Sequence, residues 1–134
     1  MCREAYKHFF KPQGSGAIVS ILADFWQGFP LMSHTSAARA GLSNLTKTLA
    51  IEWAADGVRI NAVAPGVIYS TTAAANYNNP EALFVKERIP ARRLGSVEEV
   101  SGVVVFLLSP AAAFMTGDTL KMDGGASLYG PMTF

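Results

Sequence analysis

Apolar residues recur every three or four positions over residues 34–55, where Ala38, Leu42, Leu45 and Leu49 make one stripe and Ala37, Ala40 and Gly41 a face of small side chains. That spacing predicts the longest helix of the chain, with one side on a core and small residues free for close packing. The period then changes. Val58, Ile60, Ala62 and Val63 stand around Arg59 and Asn61, a mostly buried strand that runs to Pro65-Gly66. Between helix and strand, Asp56-Gly57 provides a stop, with Gly57 suited to the left-handed residue after a helix. A helix, a strand and a Pro-Gly break in succession are how an open parallel sheet offers backbone to a ligand beyond its strand ends; a plain strand-ending turn is the other reading. Pro65 donates no N–H, and Gly66 admits a close neighbour to the backbone.

The remaining segments fit the same plan. Residues 1–11 read as a helix, with Ala5/Phe9 and Tyr6/Phe10 at helical spacing and no N-cap. A turn around Pro12 and Gly14 leads to a strand over residues 17–22 and then a loop, 23–33, holding Phe25, Trp26, Phe29 and Pro30. Residues 70–93 are polar, rich in Ala and Asn, and punctuated by Pro80 and Pro90. A segment of that length predicts a binding-associated loop with short helices of its own. Ser96-Val97-Glu98-Glu99 is a capping box opening a helix to about Leu108, with Pro110 beyond its end. Thr116-Gly117 turns into a last strand, 118–122, which Asp123-Gly124-Gly125 closes. Helices alternating with three strands predict an α/β domain on a parallel sheet.

Composition narrows the function classes. The 134 residues suit one domain, and a chain half hydrophobic and 16% charged is globular in type. A net charge of +1, spread along the chain, makes no nucleic-acid footprint. The single cysteine, Cys2, allows no internal disulfide, and His8 and His34 have no partner at metal-ligand spacing, so no metal site is expected. The apolar run 103–108 falls far short of the roughly 20 residues of a membrane span. The N-terminus has no signal-peptide core, and the C-terminus, Pro131-Met-Thr-Phe134, is not a Ser-Lys-Leu peroxisomal address. Trp26 and Trp53 read as packing residues.

Taken in order, Gly16-Ala-Ile-Val-Ser-Ile21, the helix end Leu45-Thr-Lys-Thr-Leu-Ala-Ile-Glu52, Val58-Arg-Ile-Asn-Ala-Val-Ala-Pro-Gly66, Arg93-Leu-Gly-Ser-Val-Glu-Glu-Val100 and Phe106-Leu-Leu-Ser-Pro110 make the chain resemble the C-terminal half of the short-chain dehydrogenase/reductase family. Thr116-Gly117 and Asp123-Gly124-Gly125 complete the match. Within the family, His34-Thr-Ser-Ala-Ala-Arg-Ala-Gly41 and Pro65-Gly-Val-Ile-Tyr-Ser70 look most like the peroxisomal trans-2-enoyl-CoA reductases. The implied fold is the C-terminal part of a Rossmann-like, doubly wound parallel sheet. No Gly-x-x-x-Gly-x-Gly occurs, so the half that seats the cofactor pyrophosphate is missing and the chain is expected to be a fragment.

The resemblance also implies a chemistry. The family uses a Tyr-x-x-x-Lys pair on the long helix, one turn apart, with a Ser after the preceding strand. Aligned on the Ala-rich helix start, Thr35 and Arg39 occupy the Tyr and Lys positions, and the Ser position falls near Leu22 or Ala23. Arg39 is then a ribose ligand or a solvated charge, and Thr35 a weak hydroxyl donor or a helix-start cap. A second window, Ser43-Asn-Leu-Thr-Lys47, places Ser43 where some enoyl reductases carry Tyr, with Lys47 read as an exposed charge. Pro65, Gly66, Val67 and Ile68 would lie along the nicotinamide, with Ser70 or Thr72 near the cofactor phosphates. Tyr77, Leu83, Phe84 and Ile89 would cover an acyl chain, and Arg88, Arg92 and Arg93 are CoA-phosphate partners or solvated charges. The implied reaction is NADPH-dependent reduction of a fatty trans-2-enoyl-CoA. A homo-oligomer through helices 1–11 and 34–55 and a peroxisomal location follow from the same likeness. The alternatives are another reductase of the family, acting on 3-oxoacyl or 2,4-dienoyl-CoA substrates, and an inactive chain that only docks.

Overall fold

A computed structural model describes residues 1–76 and 86–128; Tyr77, Leu83 and Phe84 of the expected acyl cover lie outside the described residues. The chain opens on a helical stretch, α1, that is α-helical over Cys2–Ala5, π-helical over Tyr6–Phe10 and α-helical again over Lys11–Gln13, ending on a left-handed Gly14. Strand β1 (Gly16–Ile21) follows, then helix α2 (Ser33–Trp53), a 3-10 turn at Ala54–Asp56 and strand β2 (Val58–Pro65). Gly57, at φ 73°, makes the left-handed stop expected of it. Helix α4 (Val97–Leu108) carries the full capping box, the Ser96 hydroxyl accepting from the Glu99 N–H at 3.3 Å and the Glu99 carboxylate from the Ser96 N–H at 2.9 Å. Strand β5 (Thr119–Met122) closes the sheet.

The three long strands are parallel in the order β1-β2-β5, Gly16 opposite Val58 and Pro65 opposite Met122. Parallel order with a helix in each crossover is the α/β plan of the sequence reading. The central strand is the core: Val58, Ile60, Asn61, Ala62, Val63 and Ala64 are all buried. Asn61 is tolerated there because its amide donates to the Met115 carbonyl at 2.8 Å while its oxygen accepts the Asp118 N–H at 3.1 Å. Arg59 reaches out to the carbonyls of Leu107 (2.8 Å) and Ser109 (3.2 Å), capping the C-terminal end of α4.

Two features depart from the hydrophobic pattern. The side of α2 that meets the sheet centres on the buried Ser43, Thr46, Ala50 and Trp53; of the expected stripe, Leu42 and Leu49 pack partly buried against the strand clusters, while Ala38 is exposed and Leu45 is 47% exposed. The small side chains let the helix axis come close, and each buried hydroxyl has a partner, one within the helix and one on β5. Thr46 donates to the Leu42 carbonyl at 2.9 Å, and Ser43 bonds Thr119 at 3.1 Å. The second departure is a short parallel ladder of β3 (Ile68–Tyr69) with β4 (Gly95–Ser96), which returns the chain beside the Pro-Gly exit. Between these lies a short helix, α3 (Thr71–Asn76), as expected of a loop with helical pieces.

Trp53 packs as expected, stacked at 4.1 Å on Tyr6, whose hydroxyl donates to Asp56. Trp26 does not reach the core. It stacks on Phe25 at 4.4 Å with the Lys121 ammonium 4.2 Å from its ring, and stays 40% exposed. Among the described residues no group of His, Cys, Asp and Glu could hold a metal ion, and no helix is long and apolar enough to cross a membrane.

Candidate active site

Parallel strands place their C-terminal ends together, and the candidate site lies there. Gly66 donates its N–H to Met122 at 3.0 Å, and the Pro65 carbonyl accepts from Asp24 at 2.8 Å. A Cβ on Gly66 would meet Asp123 Cα at 2.8 Å, so the close neighbour that this glycine admits is the turn after β5. Val67 then accepts from the Gly95 N–H at 3.1 Å, which bends the exit over a cavity of about 160 Å³. Val67, Ile68, Ile89, Met122 and Asp123 line that cavity, with the Arg93–Glu99 pair on its wall. Ile89, expected over an acyl chain, is thus beside the Val67-Ile68 backbone.

Asp123 was read from the sequence only as the start of a turn. Its burial opposes charge, but hydrogen bonds from Ser127 and Gly125 outweigh that and hold the carboxyl below the usual aspartate range. A half-buried acidic residue with two backbone donors has no signature in a local hydrophobic pattern. The run Asp-Gly-Gly was its sole clue.

Thr35, Arg39 and Ser43 share one stripe of α2, each a turn from the next. Leu42 packs beside Leu22, Ala62 and Ala64. The helix returns antiparallel to the strands, so Thr35 lies about 10 Å above Leu42, toward the Pro65 end. Both Thr35 and Arg39 are half-buried, and Arg39 Nε is buried without a hydrogen-bond partner. Ser43 sits elsewhere. It bonds Thr119, which pairs with Ala62, about 10 Å down the strand from Pro65. Of the two residues expected near the family's serine position, Leu22 is buried at 6% and Ala23 is half-buried.

Ser70 precedes α3 and Thr72 stands exposed in its first turn. Of the three arginines, Arg93 is committed to Glu99 and Arg92 to the Glu87 carbonyl at 2.9 Å, while Arg88 is exposed in the 3-10 turn Lys86–Arg88. Two separate features could meet the nicotinamide side of a dinucleotide: the orphaned Arg39 Nε–H on α2, which would suit ribose hydroxyls, and the cavity lined by Val67 and Ile68, which would suit the ring.

Residues 1–127 match the family described as Enoyl-(Acyl carrier protein) reductase, and the chain belongs to these short-chain dehydrogenases/reductases. It is 38% identical over 133 residues to 3beta-hydroxysteroid dehydrogenase 1 of Eggerthella lenta, covering 96% of this chain and 50% of that protein. It is 36% identical to the peroxisomal 2,4-dienoyl-CoA reductase of Pongo abelii (96% and 45% covered) and 40% identical to the 3-oxoacyl-[acyl-carrier-protein] reductase of Synechocystis (96% and 51%). A gluconate 5-dehydrogenase from Burkholderia cenocepacia, solved with NADP and tartrate, superposes with a TM-score of 0.82 at 29% identity, over 95% of this chain and 51% of that one. The chain spans about half the length of the curated relatives it matches.

Proposed function

We propose that this chain forms the C-terminal half of an NADPH-dependent reductase that saturates the double bond of a fatty trans-2-enoyl-CoA. The observation that carries the reading is the start of α2. Thr35 and Arg39 stand where the family resemblance puts Tyr and Lys, and the serine position falls at Leu22 or Ala23, neither of which carries a hydroxyl. Ketone reduction needs a strong proton donor at the carbonyl oxygen as hydride adds to its carbon. Reduction of a 2-enoyl thioester adds hydride at the β-carbon and makes an enolate, which neutral donors stabilise. Loss of the tyrosine acid is therefore better matched to the second reaction. The dienoyl-CoA relative and the family's description support the same class.

In this reading Arg39 holds the cofactor ribose, and Pro65, Gly66, Val67 and Ile68 form the wall along the nicotinamide, with Ser70 and Thr72 toward the phosphates. The bound cofactor supplies the hydride. Thr35 donates a hydrogen bond near the reacting carbonyl. Ser43, already bonded to Thr119, serves by keeping the Thr35–Arg39 stripe in register on the sheet. Ile89 borders the acyl path. Phe9, Leu45 and Ile51, exposed on α1 and α2, suit burial in a homo-oligomer. A peroxisomal location belongs to the same proposal, supported by the Pongo abelii relative.

A second reading, reduction of ketones or 3-oxoacyl groups, is favoured by the hydroxysteroid and 3-oxoacyl relatives. An assay of the full-length protein with NADPH separates the two. The expected result is NADPH consumption with a trans-2-enoyl-CoA and little with 3-oxoacyl-CoA or hydroxysteroid ketones. Ketone turnover without enoyl turnover overturns the proposal.

A further inference from the structure

We infer that Asp24 is the group that protonates the α-carbon in this site, a role distinct from the carbonyl-oxygen acid of the missing tyrosine; the inference rests on the reductase reading above. The geometry comes from the ladder beyond β1. Leu22 donates to the Val63 carbonyl at 2.7 Å and Asp24 to the Pro65 carbonyl at 2.8 Å, so strand-like pairing continues past Ile21. Alternation then puts Leu22 and Asp24 on one face. That face is the α2 side, because Leu22 packs with Leu42. Asp24 lies two residues further up, about 7 Å, level with the Pro65 exit. Arg39 and Thr35 precede Leu42 on the helix by one and two turns, toward that same end. The carboxyl, the two family positions and the strand exit thus share one side and one end of the sheet.

The environment of Asp24 suits a donor. It is half-buried, and among the described residues its carboxyl receives one hydrogen bond, a long one of 3.4 Å from the Trp26 N–H. Burial raises its pKa first, and the Asp123 charge adds to that; the Trp26 N–H and Lys121 oppose them. Across the Pro-Gly exit, Asp123 is held ionised by Ser127 and Gly125. Two carboxylates pushed in opposite directions are the arrangement by which one site keeps an acid and an anion together. In the step, the Asp24 proton forms the new C–H bond at the α-carbon as the hydride from NADPH forms the one at the β-carbon. The nicotinamide is oxidised, the carbon–carbon double bond is reduced, and the carboxylate left behind is reprotonated from water.

The test uses the full-length protein and two readouts. Carbon-13 NMR of labelled aspartate carboxyls, with Asp24→Asn to assign the signal, reports titration without turnover. Asp24 is expected to titrate above, and Asp123 below, the ordinary aspartate value. With trans-2-enoyl-CoA and NADPH, D24N is expected to lower kcat about 100-fold or more at little change in KM, and to abolish the fall in rate as Asp24 ionises. Asp24→Glu restores part of the rate and a shifted profile, which separates chemistry from misfolding. An Asp24 signal at or below the ordinary value, or a D24N rate within threefold of wild type with the same pH profile, overturns the inference. If the wild type reduces ketones and not enoyl thioesters, the functional reading falls. The same D24N comparison on the ketone then decides Asp24.

Discussion

Arg93 holds Glu99 through two N–H···O bonds of 2.9 and 2.6 Å, and the same carboxylate accepts the Ser96 N–H at 2.9 Å. One side chain thereby fastens the strand that borders the cavity to the first turn of α4. The Arg93 guanidinium, then the Ser96 N–H, lower the Glu99 carboxyl from 4.5 to about 2. A carboxylate depressed in the folded state stabilises above its unfolded pKa, and that contribution is lost as pH falls through the folded value. The pair is therefore intact through neutral pH and fails in the window from about 4.5 down to about 2. Urea unfolding as a function of pH should show an acid limb in the wild type that Glu99→Gln flattens over that window.

The cap itself is separable from the ion pair. Ser96→Ala removes the acceptor for the Glu99 N–H while Arg93 keeps its partner. A loss of about 1 kcal/mol, within the 0.5–2 range for such caps, is expected from denaturant midpoints, with the Glu99 part of the acid limb kept and only the smaller Glu98 part, which the Ser96 hydroxyl supports, reduced.

Two glycines should respond in opposite ways to alanine. At Gly66 a Cβ would sit 2.8 Å from Asp123 Cα, a backbone atom that cannot step aside without opening the β2–β5 exit. At Gly102, inside α4, a Cβ meets nothing within 4 Å. Gly66→Ala is expected to destabilise strongly and to disturb cofactor binding. Gly102→Ala should stabilise by up to about 1 kcal/mol, the helix-propensity gain. Paired melting curves of the two variants check both.

Strand-level features were legible because they depend on local chemistry. Val58–Pro65, the Gly57 stop and the Ser96–Glu99 box each declare themselves within a few residues. The face of α2 did not, because hydrophobicity marked Leu45 while the sheet chose Ser43 and Thr46: Thr46 bonds back within its own helix, and the Ser43 hydroxyl finds Thr119 only after folding. The candidate site divided in the same way. Pro65-Gly66 and Thr35/Arg39 were readable as motifs, but Asp24 and Asp123 matter through strands that meet in space. Neither the Asp24–Pro65 bond nor the contact of Gly66 with Asp123 spans fewer than 40 residues, and no local window contains them.

Asn61 tests whether a buried polar residue earns its place by pairing. It is 1% exposed and satisfies both the Met115 carbonyl and the Asp118 N–H, which fix the entry of β5 beside β2. Asn61→Ala takes this partner from the part-buried Met115 carbonyl and Asp118 N–H and leaves a hole in the central strand, with an expected loss of about 1–3 kcal/mol in all. Asn61→Asp keeps the acceptor for Asp118 but turns a second oxygen toward the Met115 carbonyl, so it should fail nearly as badly at neutral pH and recover in part on acidification. Denaturant titrations at two pH values distinguish the variants.

The cofactor side turns on the contrast between Arg39 and Ser43, two residues one helical turn apart with different surroundings. Arg39 carries a buried N–H with no partner, whereas the Ser43 hydroxyl is bonded to Thr119. A bound ribose gives the Arg39 guanidinium an acceptor; it gives Ser43 nothing. In the full-length protein, Arg39→Ala should weaken NADPH binding about tenfold or more, since a charge-assisted hydrogen bond contributes roughly 1.5–3 kcal/mol. Arg39→Lys should recover part of it, having charge but not the planar fork. Ser43→Ala should leave NADPH affinity unchanged and lower stability by about 1 kcal/mol through the lost hydroxyl pair. Fluorescence titration of NADPH beside urea unfolding reads both quantities, and an affinity loss confined to Ser43→Ala would reverse the roles given to these two residues.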